Sequence, residues 1–453
     1  QYVPFVERRS RKRGPVWANA STIRAIRRKR RAWKKFRKGE NSVDKFKAIS
    51  NATKRSIRQA KKKFEKGLVK SMKSNSSVFQ RGPDTSEPPP QIFDDAIHTA
   101  LSTVEFPREL VECKLKNLKE HSAPGPDEMY PILLKRCAYE FSEPLSLIFT
   151  ASMAEGSVPT DWKRTNVSPI FKSGSKSQPE NYRPINLCSV PSKIMESIIK
   201  DALIDHLQRN SLLRQSQHGF MPGRSCVTNL LAYLDKVTSA LDAGDPYDVI
   251  MIDFRRAFDV VPFRRLLQKL QAHGIVGDLL GWFDDWTTGR KQRVVINGQN
   301  SEWADVISSV VQGSVIGPVL FLDFINDIDF VIDEEETNVF KYADDSKFGR
   351  RIRTSRDTEV LQADLNNVEH WAANNGMSLH PQKTIVMHFG YNNPNHQYTL
   401  SGSIISPVQC AKDLGVLINV QCTPGDHVIA ITNKANCVLA QLRRSTVSRS
   451  CEM

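Results

Sequence analysis

The sequence predicts an α+β protein in which an antiparallel sheet is backed by helices. Three observations carry that expectation. Segments with strand and helix periods alternate through the middle of the chain, but without the regular βαβ spacing of a doubly wound sheet. Two strongly apolar strand segments, YDVIMIDF (247–254) and NVFKYADDSKFGR (338–350), end or turn on acids. No internal repeat is visible.

The elements follow in order. The first part is extremely basic, with RSRKRG (9–14) and RRKRRAWKKFRK (27–38). Further on, Phe46, Ile49, Ile57, Phe64 and Leu68 recur at helical spacing among Lys and Arg, which gives one or two long amphipathic helices with a thin apolar stripe. Such an arm suits nucleic-acid binding or nuclear targeting, and equally a solvated helical linker. SSVFQRGPDTSEPPPQ (76–91) has linker composition. SAPGPD (122–127) is a turn cluster, VSPIFK (167–172) a short strand and SGSKSQPENYRP (173–184) a polar loop. A helix after Pro191 presents Ile194, Met195, Ile198, Ile199, Ala202 and Leu207 on one face. The next, after GRSC, has Val227, Leu230, Leu231, Leu234, Val237 and Leu241 on one side. YDVIMIDF reads as a buried strand. RRLLQKLQAHG (264–274) and VGDLLGWFDDW (276–286) are helices, and RVVING (293–298) and DVISSVVQG (305–313) look like a pair of strands. An apolar helix begins at Gly317-Pro318. NVFKYADDSKFGR is a hairpin with Asp-Asp at its tip. A helix through Leu361, Leu365, Val368 and Trp371 leads to the strand TIVMHFG (384–390).

Composition narrows the partners. The 453 residues suggest two or three units, and a net charge of +15 favours polyanions, because each Lys or Arg near a phosphate releases condensed counterions. The bland alternative is a solubilising surface. No apolar run is long enough to span a bilayer, and the N-terminus lacks the apolar core of a secretion signal. Eight cysteines are scattered without a C-x-x-C pair. Cys410, Cys422, Cys437 and Cys451 lie closer together but match no zinc spacing, so free thiols in a reducing, cytoplasmic or nuclear compartment are expected.

The chemistry lies in the acids. Asp253 closes one apolar strand and Asp344-Asp345 turn another. Burying carboxylates without partners is costly. If these strands are neighbours, their acids converge, and such a cluster stays ionised only with cations between them. Hard oxygen ligands suit Mg²⁺ or Mn²⁺, and two such ions can clamp the attacking and leaving oxygens of a phosphoryl transfer. A strand-end Asp alone is more often a turn or helix cap.

MIDFRRAFD, VVQGSVIGPVLFLDFINDI, YADD and NGMSLHPQKT, in this order and spacing, resemble the palm motifs of reverse transcriptases, most closely those of non-LTR (LINE-type, jockey-like) retrotransposons. SAPGPD, SPIFKSG, NYRPINLCSVPSKIMESII and QHGFMPGRS resemble the fingers segments of the same family. The similarity covers roughly Lys114 to Ile418. It implies a right-hand polymerase fold with fingers, palm and part of a thumb behind the basic helical arm. The divisions expected are an arm at 1–75, a linker at 76–104, fingers with part of the palm at 105–245, palm at 246–419 and a truncated thumb start at 420–453.

The resemblance also implies roles. Asp253, Asp344 and Asp345 match the catalytic, metal-binding triad for Mg²⁺, with Mn²⁺ as a substitute. Phe258 matches the aromatic under the sugar that rejects a 2′-hydroxyl and so selects dNTPs. Gln312 and Gly313 match the pair lining the nucleotide and template pocket. Lys172 and Arg183 match cations that grip the triphosphate, and Lys383 matches a proton donor to pyrophosphate. The activity implied is RNA-directed DNA synthesis on a primer 3′-hydroxyl, with an RNA template, a DNA primer at the target and dNTPs as partners, and no membrane. The setting implied is a nuclear and cytoplasmic ribonucleoprotein. An endonuclease is expected on a separate or missing segment, the chain reading as a piece of a larger product.

The pattern departs from the family at Val311, where Pro is usual, at Glu128, where Gly is expected, and at Asp323, where an aromatic is usual. A buried, unpaired Asp323 would cost several kcal/mol. Two alternatives stay open: an inactive or truncated copy that only binds RNA, and a related RNA-dependent RNA polymerase or maturase.

Overall fold

The computed structural model describes residues 15, 17–40, 42–74, 99–172, 174–306, 308–311, 313–333 and 335–445. At the start of the described chain, α1 (Ala20–Arg37) and α2 (Val43–Ser74) form a helical hairpin. Asn19 caps α1, its side-chain oxygen accepting from the Thr22 N–H at 2.9 Å. The apolar stripe of these helices closes on itself: Trp33, Phe36 and Phe46 pack with ring centroids 5.1–5.6 Å apart. Leu68 and Val69 are buried near the far end of α2, where it lies against an outer sheet. There the Asn297 amide donates to Glu65 Oε1 at 2.6 Å.

That outer sheet contains β1 (Arg164–Phe171), β2 (Tyr182–Leu187), β4 (Lys291–Ile296), β5 (Gln299–Asn300) and β6 (Ala304–Asp305). Its order is β2-β1-β4-β5, with β6 paired to β4; β1 runs antiparallel to β2 and parallel to β4. The central sheet has the order β12-β9-β3-β8-β7. Its strands are β3 (Tyr247–Ile252), β7 (Asn338–Tyr342), β8 (Asp345–Arg351), β9 (Ile385–Phe389) and β12 (Ser406–Pro407). Two small hairpins follow β9: β10 (Thr399–Leu400) with β11 (Ser403–Ile404), and β13 (Cys410–Asp413) with β14 (Val416–Asn419).

The central sheet is covered on both faces, which is why β3 is a continuous apolar run. Tyr247 and Val249 face a cluster with Tyr233, Phe340 and Phe389, supplied partly by α7 (Cys226–Asp242). Ile250 and Ile252 face the main core. That core is built from α3 (Arg108–Lys116), α4 (Pro131–Arg136), α5 (Ala138–Ala154), α6 (Val190–Arg209), α9 (Phe263–Ala272), α10 (Gly277–Thr287), α11 (Gly317–Ile325) and α12 (Ser355–Asn374). A single turn, α8 (Ala257–Val260), follows the end of β3, and α13 (Gly425–Ser445) ends the described chain. Among the described residues, no helix is long and apolar enough to cross a membrane, and seven of the eight cysteines are free thiols.

The α+β expectation holds, as do the strands bearing the acids. Four local expectations need correction. The polar loop at 173–184 ends early: Tyr182–Leu187 is a strand paired with β1. It carries Pro184, but β2 is a sheet edge, where Pro costs no ladder bond. Among the described residues of DVISSVVQG, strand is found only at Asp305, the end of β6. Beyond it, the Ser309 and Val310 N–H groups donate to the carbonyls of Val261 and Phe258, and Val310 and Val311 are buried in the core. On α7 the buried face is Asn229, Leu230, Tyr233, Val237 and Ala240, while Val227 and Leu231 are exposed. Tyr233 sets that face by packing on Phe340 and Phe389. Finally, Asp323 is buried but paired: its Oδ1 lies 2.6 Å from Nδ1 of the equally buried His273.

Two further features bear on the departures. Glu128 has φ +56°, the left-handed region that favours the expected glycine. Asp323 belongs to a wider buried network. Lys269 lies 2.8 Å from Asp327 and donates to the Phe324 carbonyl at 2.7 Å, while the Trp371 indole donates to Asp327 at 3.1 Å. Burial lowers the Lys269 pKa, opposed by Asp327 and Asp323. Truncating one member of such a pair leaves the other uncompensated. Asp323→Ala is expected to lower unfolding stability by about 3–5 kcal/mol, read as a fall in the urea midpoint.

Candidate active site

Strand register brings the acids together. In the antiparallel pair β3–β8, Ile252 stands opposite Ser346, so Asp253 lies level with Asp345. Tyr342 pairs with Asp345 across the β7–β8 hairpin, leaving Ala343 and Asp344 as its two-residue turn. Ala343 adopts φ +58°, as a tight hairpin turn of this hand requires at its first position. All three acids therefore meet at one end of the central sheet.

The turn is held from outside. The segment 216–219 runs beside β7: the Lys341 N–H donates to the Ser216 carbonyl and the His218 N–H to the Lys341 carbonyl, both at 2.8 Å. The buried Gln217 side-chain oxygen accepts from Gly219 N at 2.8 Å and Ala343 N at 3.0 Å. Gly219 comes so close that a Cβ there would lie 2.4 Å from Ala343 N. The Lys341 ammonium, itself buried, lies 2.7 Å from Asp329. On the other strand, the buried Lys347 pairs with Asp413 of β13 and donates to Asn229 at 2.8 Å.

Asp253 has its own support. The His380 N–H donates to the Asp253 carbonyl at 2.8 Å and the Arg255 N–H to the Ser378 carbonyl at 2.9 Å, prolonging the pairing of β3 with β9. A turn at His380 then returns Lys383, whose ammonium lies 3.2 Å from Asp253 Oδ2.

The electrostatics report crowding. Asp344 is raised above the usual carboxylate range, first by burial and then by Asp253, while Arg183 and Lys172 oppose the shift. Asp345 is pushed up to about 6, by desolvation first, then by Asp344, Asp413 and Asp253, with Lys347 opposing. Arg183 and Lys172, exposed at the tip of the β1–β2 hairpin, thus face the acids across the gap between the two sheets. Among the described residues, no group of three or more His, Cys, Asp or Glu side chains is already spaced to hold a metal ion. Crowded oxygen ligands with raised proton affinity still suit a hard cation, which would relieve their repulsion.

Two of the remaining expected residues have defined surroundings. Phe258, half-buried after Asp253, stacks on Phe321 with centroids 4.2 Å apart and planes at 20°. Gly313 has φ +123°, and a Cβ there would lie 2.3 Å from the Asn186 carbonyl, so its close approach is to strand β2. Gln312 lies outside the described residues. Asp259, raised chiefly by burial, lines a cavity of about 110 Å³ under the outer sheet. Buried Glu196 fixes the next loop, accepting from Val315 N at 2.7 Å and the Trp286 indole at 3.3 Å.

Sequence reading missed Gln217, Gly219, Lys347 and Asp413 as supports. The motif QHGF signalled the first two. Nothing local announces the Lys347–Asp413 pair.

Residues 170–418 match the family model described as reverse transcriptase (RNA-dependent DNA polymerase). The chain is 28% identical over 345 residues to the probable RNA-directed DNA polymerase from transposon BS of Drosophila melanogaster, covering 74% of this chain and 38% of that protein. It is 24% identical over 364 residues to the RNA-directed DNA polymerase from mobile element jockey of the same species, covering 76% and 39%. It is 26% identical over 293 residues to the retrovirus-related Pol polyprotein from type-1 retrotransposable element R2 of Popillia japonica, covering 61% and 38%. The chain thus spans less than two fifths of the length of these curated relatives.

Because the folded-state pKa of Asp345 is raised, this group stabilises the fold most at low pH, and its contribution is lost as pH rises through about 6. Carboxyl ¹³C titration in metal-free buffer should place Asp345 near that value. Asp344→Asn should move its midpoint down, since a negative neighbour is gone.

Proposed function

The chain belongs to the reverse transcriptase (RNA-dependent DNA polymerase) family, and we propose that it copies an RNA template into DNA from a primer 3′-hydroxyl, as part of a non-LTR retrotransposon product. The observation that carries this reading is the convergence of Asp253 with Asp344-Asp345 at one sheet end, faced by Lys172 and Arg183. In this reading the central sheet is the palm, α3–α6 with β1 and β2 belong to the fingers, and α13 begins a thumb.

Asp253, Asp344 and Asp345 would hold the divalent cation, Mg²⁺ or in its place Mn²⁺. When bound, that cation supplies charge neutralisation and activation of the primer hydroxyl for phosphoryl transfer. The protein's own groups do the rest. Lys172 and the forked guanidinium of Arg183 draw in and orient the triphosphate. Phe258 is kept in place by its stack on Phe321, so a 2′-hydroxyl over it meets a rigid ring. Lys383, 3.2 Å from Asp253 Oδ2, would give a proton to the pyrophosphate oxygen. Gln217 and Gly219 set where Asp344 stands, through the turn they hold.

The test is primer extension on an RNA template with a DNA primer. Extension is expected with dNTPs and not rNTPs, and Asp344→Asn should reduce it by about 10³-fold or more. Phe258→Val should raise rNTP use relative to dNTP at least about tenfold. Gly219→Ala, by displacing the turn, should cost about 10²-fold in rate. Folded protein with no extension in Mg²⁺ or Mn²⁺ would overturn the polymerase reading.

A further inference from the structure

Beside the part of the outer sheet that α2 lies against, one face of β1 is partly exposed, and its residues follow strand parity. Along β1, Thr165 and Val167 are buried while Arg164, Asn166, Ser168 and Ile170 turn to the other side. Register puts Arg183 opposite Ile170, Arg293 opposite Asn166 and Lys291 opposite Arg164. Cations therefore stand at both ends of one face. Lys172 and Arg183 mark the end that faces Asp344. Arg164, Lys291 and Arg293 mark the other: by register Arg164 and Lys291 stand about 26 Å along the strand from Lys172, and Arg293, level with Asn166, about 13 Å from Arg183.

At that far end stands Trp303, only partly buried. The Arg293 guanidinium lies 4.5 Å from its ring centroid and that of Arg164 5.8 Å. Arg293 is also aimed by the Asn166 side-chain oxygen, to which its Nε donates at 2.8 Å. The acids nearby hold these cations loosely: Asp161 lies 3.6 Å from Arg164 and Asp305 3.7 Å from Lys291, in exposed pairs. A ring flanked by guanidiniums on a cationic face is the chemistry that holds a single strand, with bases stacking and phosphates pairing.

We propose that Trp303, with Arg164 and Arg293, is a stacking site for a base of the single-stranded template several nucleotides ahead of the catalytic centre. This rests on the polymerase reading above. The distance along β1 requires an extended strand to bridge the two ends. It also means that a template with a minimal overhang never reaches Trp303. A duplex does not fit the role, because a base must leave its stack to meet the ring.

The test compares binding of the full chain to primer–templates with a minimal 5′ template overhang and with a long one of about ten nucleotides. Overhangs of RNA and of DNA are used at fixed salt. Wild type should bind the long RNA overhang more tightly than the minimal one. Trp303→Ala should lose roughly five- to hundredfold of that gain, with affinity and single-turnover extension on the minimal overhang unchanged. Trp303→Phe, which keeps a ring, should restore most of the gain. Arg164→Gln should reduce the salt slope on the long overhang by about one. An equal loss on RNA and DNA overhangs supports a site for the template strand whatever its sugar, and a loss on RNA alone supports a site for an RNA template. The proposal fails if Trp303→Ala weakens both overhang lengths equally with a lowered melting temperature, since the three side chains are then only a clasp for the sheet edge. It also fails if the gain persists in a folded variant. Normal extension with an unaffected gain sinks this site alone. A lost gain in a protein that never extends a primer sinks the polymerase reading and leaves the site.

Discussion

Like charges do not gather at one end of a sheet unless the surrounding structure compels them. The repulsion among Asp253, Asp344 and Asp345 is the constraint around which the central part of this protein is arranged. Burial already favours the neutral form of Asp344 and Asp345, and their mutual proximity adds to it. The opposing work is done by backbone. β3 is locked between β8 and β9, the turn at Ala343 is gripped by Gln217, and His380 ties Asp253 to the segment carrying Lys383. Each of these ties fixes a main-chain position and uses no carboxylate oxygen of the three acids. The cations within reach lie around the rim: Lys383 at Asp253, Lys172 and Arg183 across the gap, and Lys347 beneath Asp345.

The same economy explains the unusual amount of charge inside. Asp248, at the start of β3, is buried and collects His388, Asn393 and Tyr398 at 2.7–2.8 Å. Arg350, at the other end of β8 from Asp345, draws in Asp333, Glu336 and Asp357. Lys269 and Asp327 join α9 to the segment after α11, and Glu196 joins α6 to α10 and the loop after Gly313. Apolar contact holds layers together without fixing their register, whereas buried charged groups cost free energy in every arrangement but the right one. In this protein they sit where layers meet, and each meeting point leads back to a strand or loop that carries a site residue.

What the sequence made legible follows from how local each signal is. β3 announced itself because it is buried on both faces and ends in an acid, and the hairpin because Asp-Asp interrupts an apolar alternation. Those two fix where the acids are; their convergence follows only from strand order, which no single segment encodes. Strand β2 was hidden by Pro184 and Asn186, residues that an edge tolerates. The inward face of α7 was misread because apolar Val227 and Leu231 turn outward while polar Asn229 turns inward to serve Lys347 and the Lys341 carbonyl. Asp323 looked costly because its partner, His273, stands fifty residues earlier, just past the end of α9. Glu128 keeps a left-handed backbone without a glycine, and Val311 fills core space.

The bond between Lys347 and Asp413 changes where this protein can be divided. Asp413 belongs to the β13–β14 hairpin, outside the central sheet, yet it neutralises the buried cation beneath Asp345. A boundary drawn at the last strand of that sheet would strand this cation and release the hairpin's Ala411 and Ile418 from the cluster around Tyr233. The smallest unit that keeps this pair and the hairpin's packing therefore extends through Asn419. A cut on the C-terminal side that preserves the site is confined to the sequence beyond it.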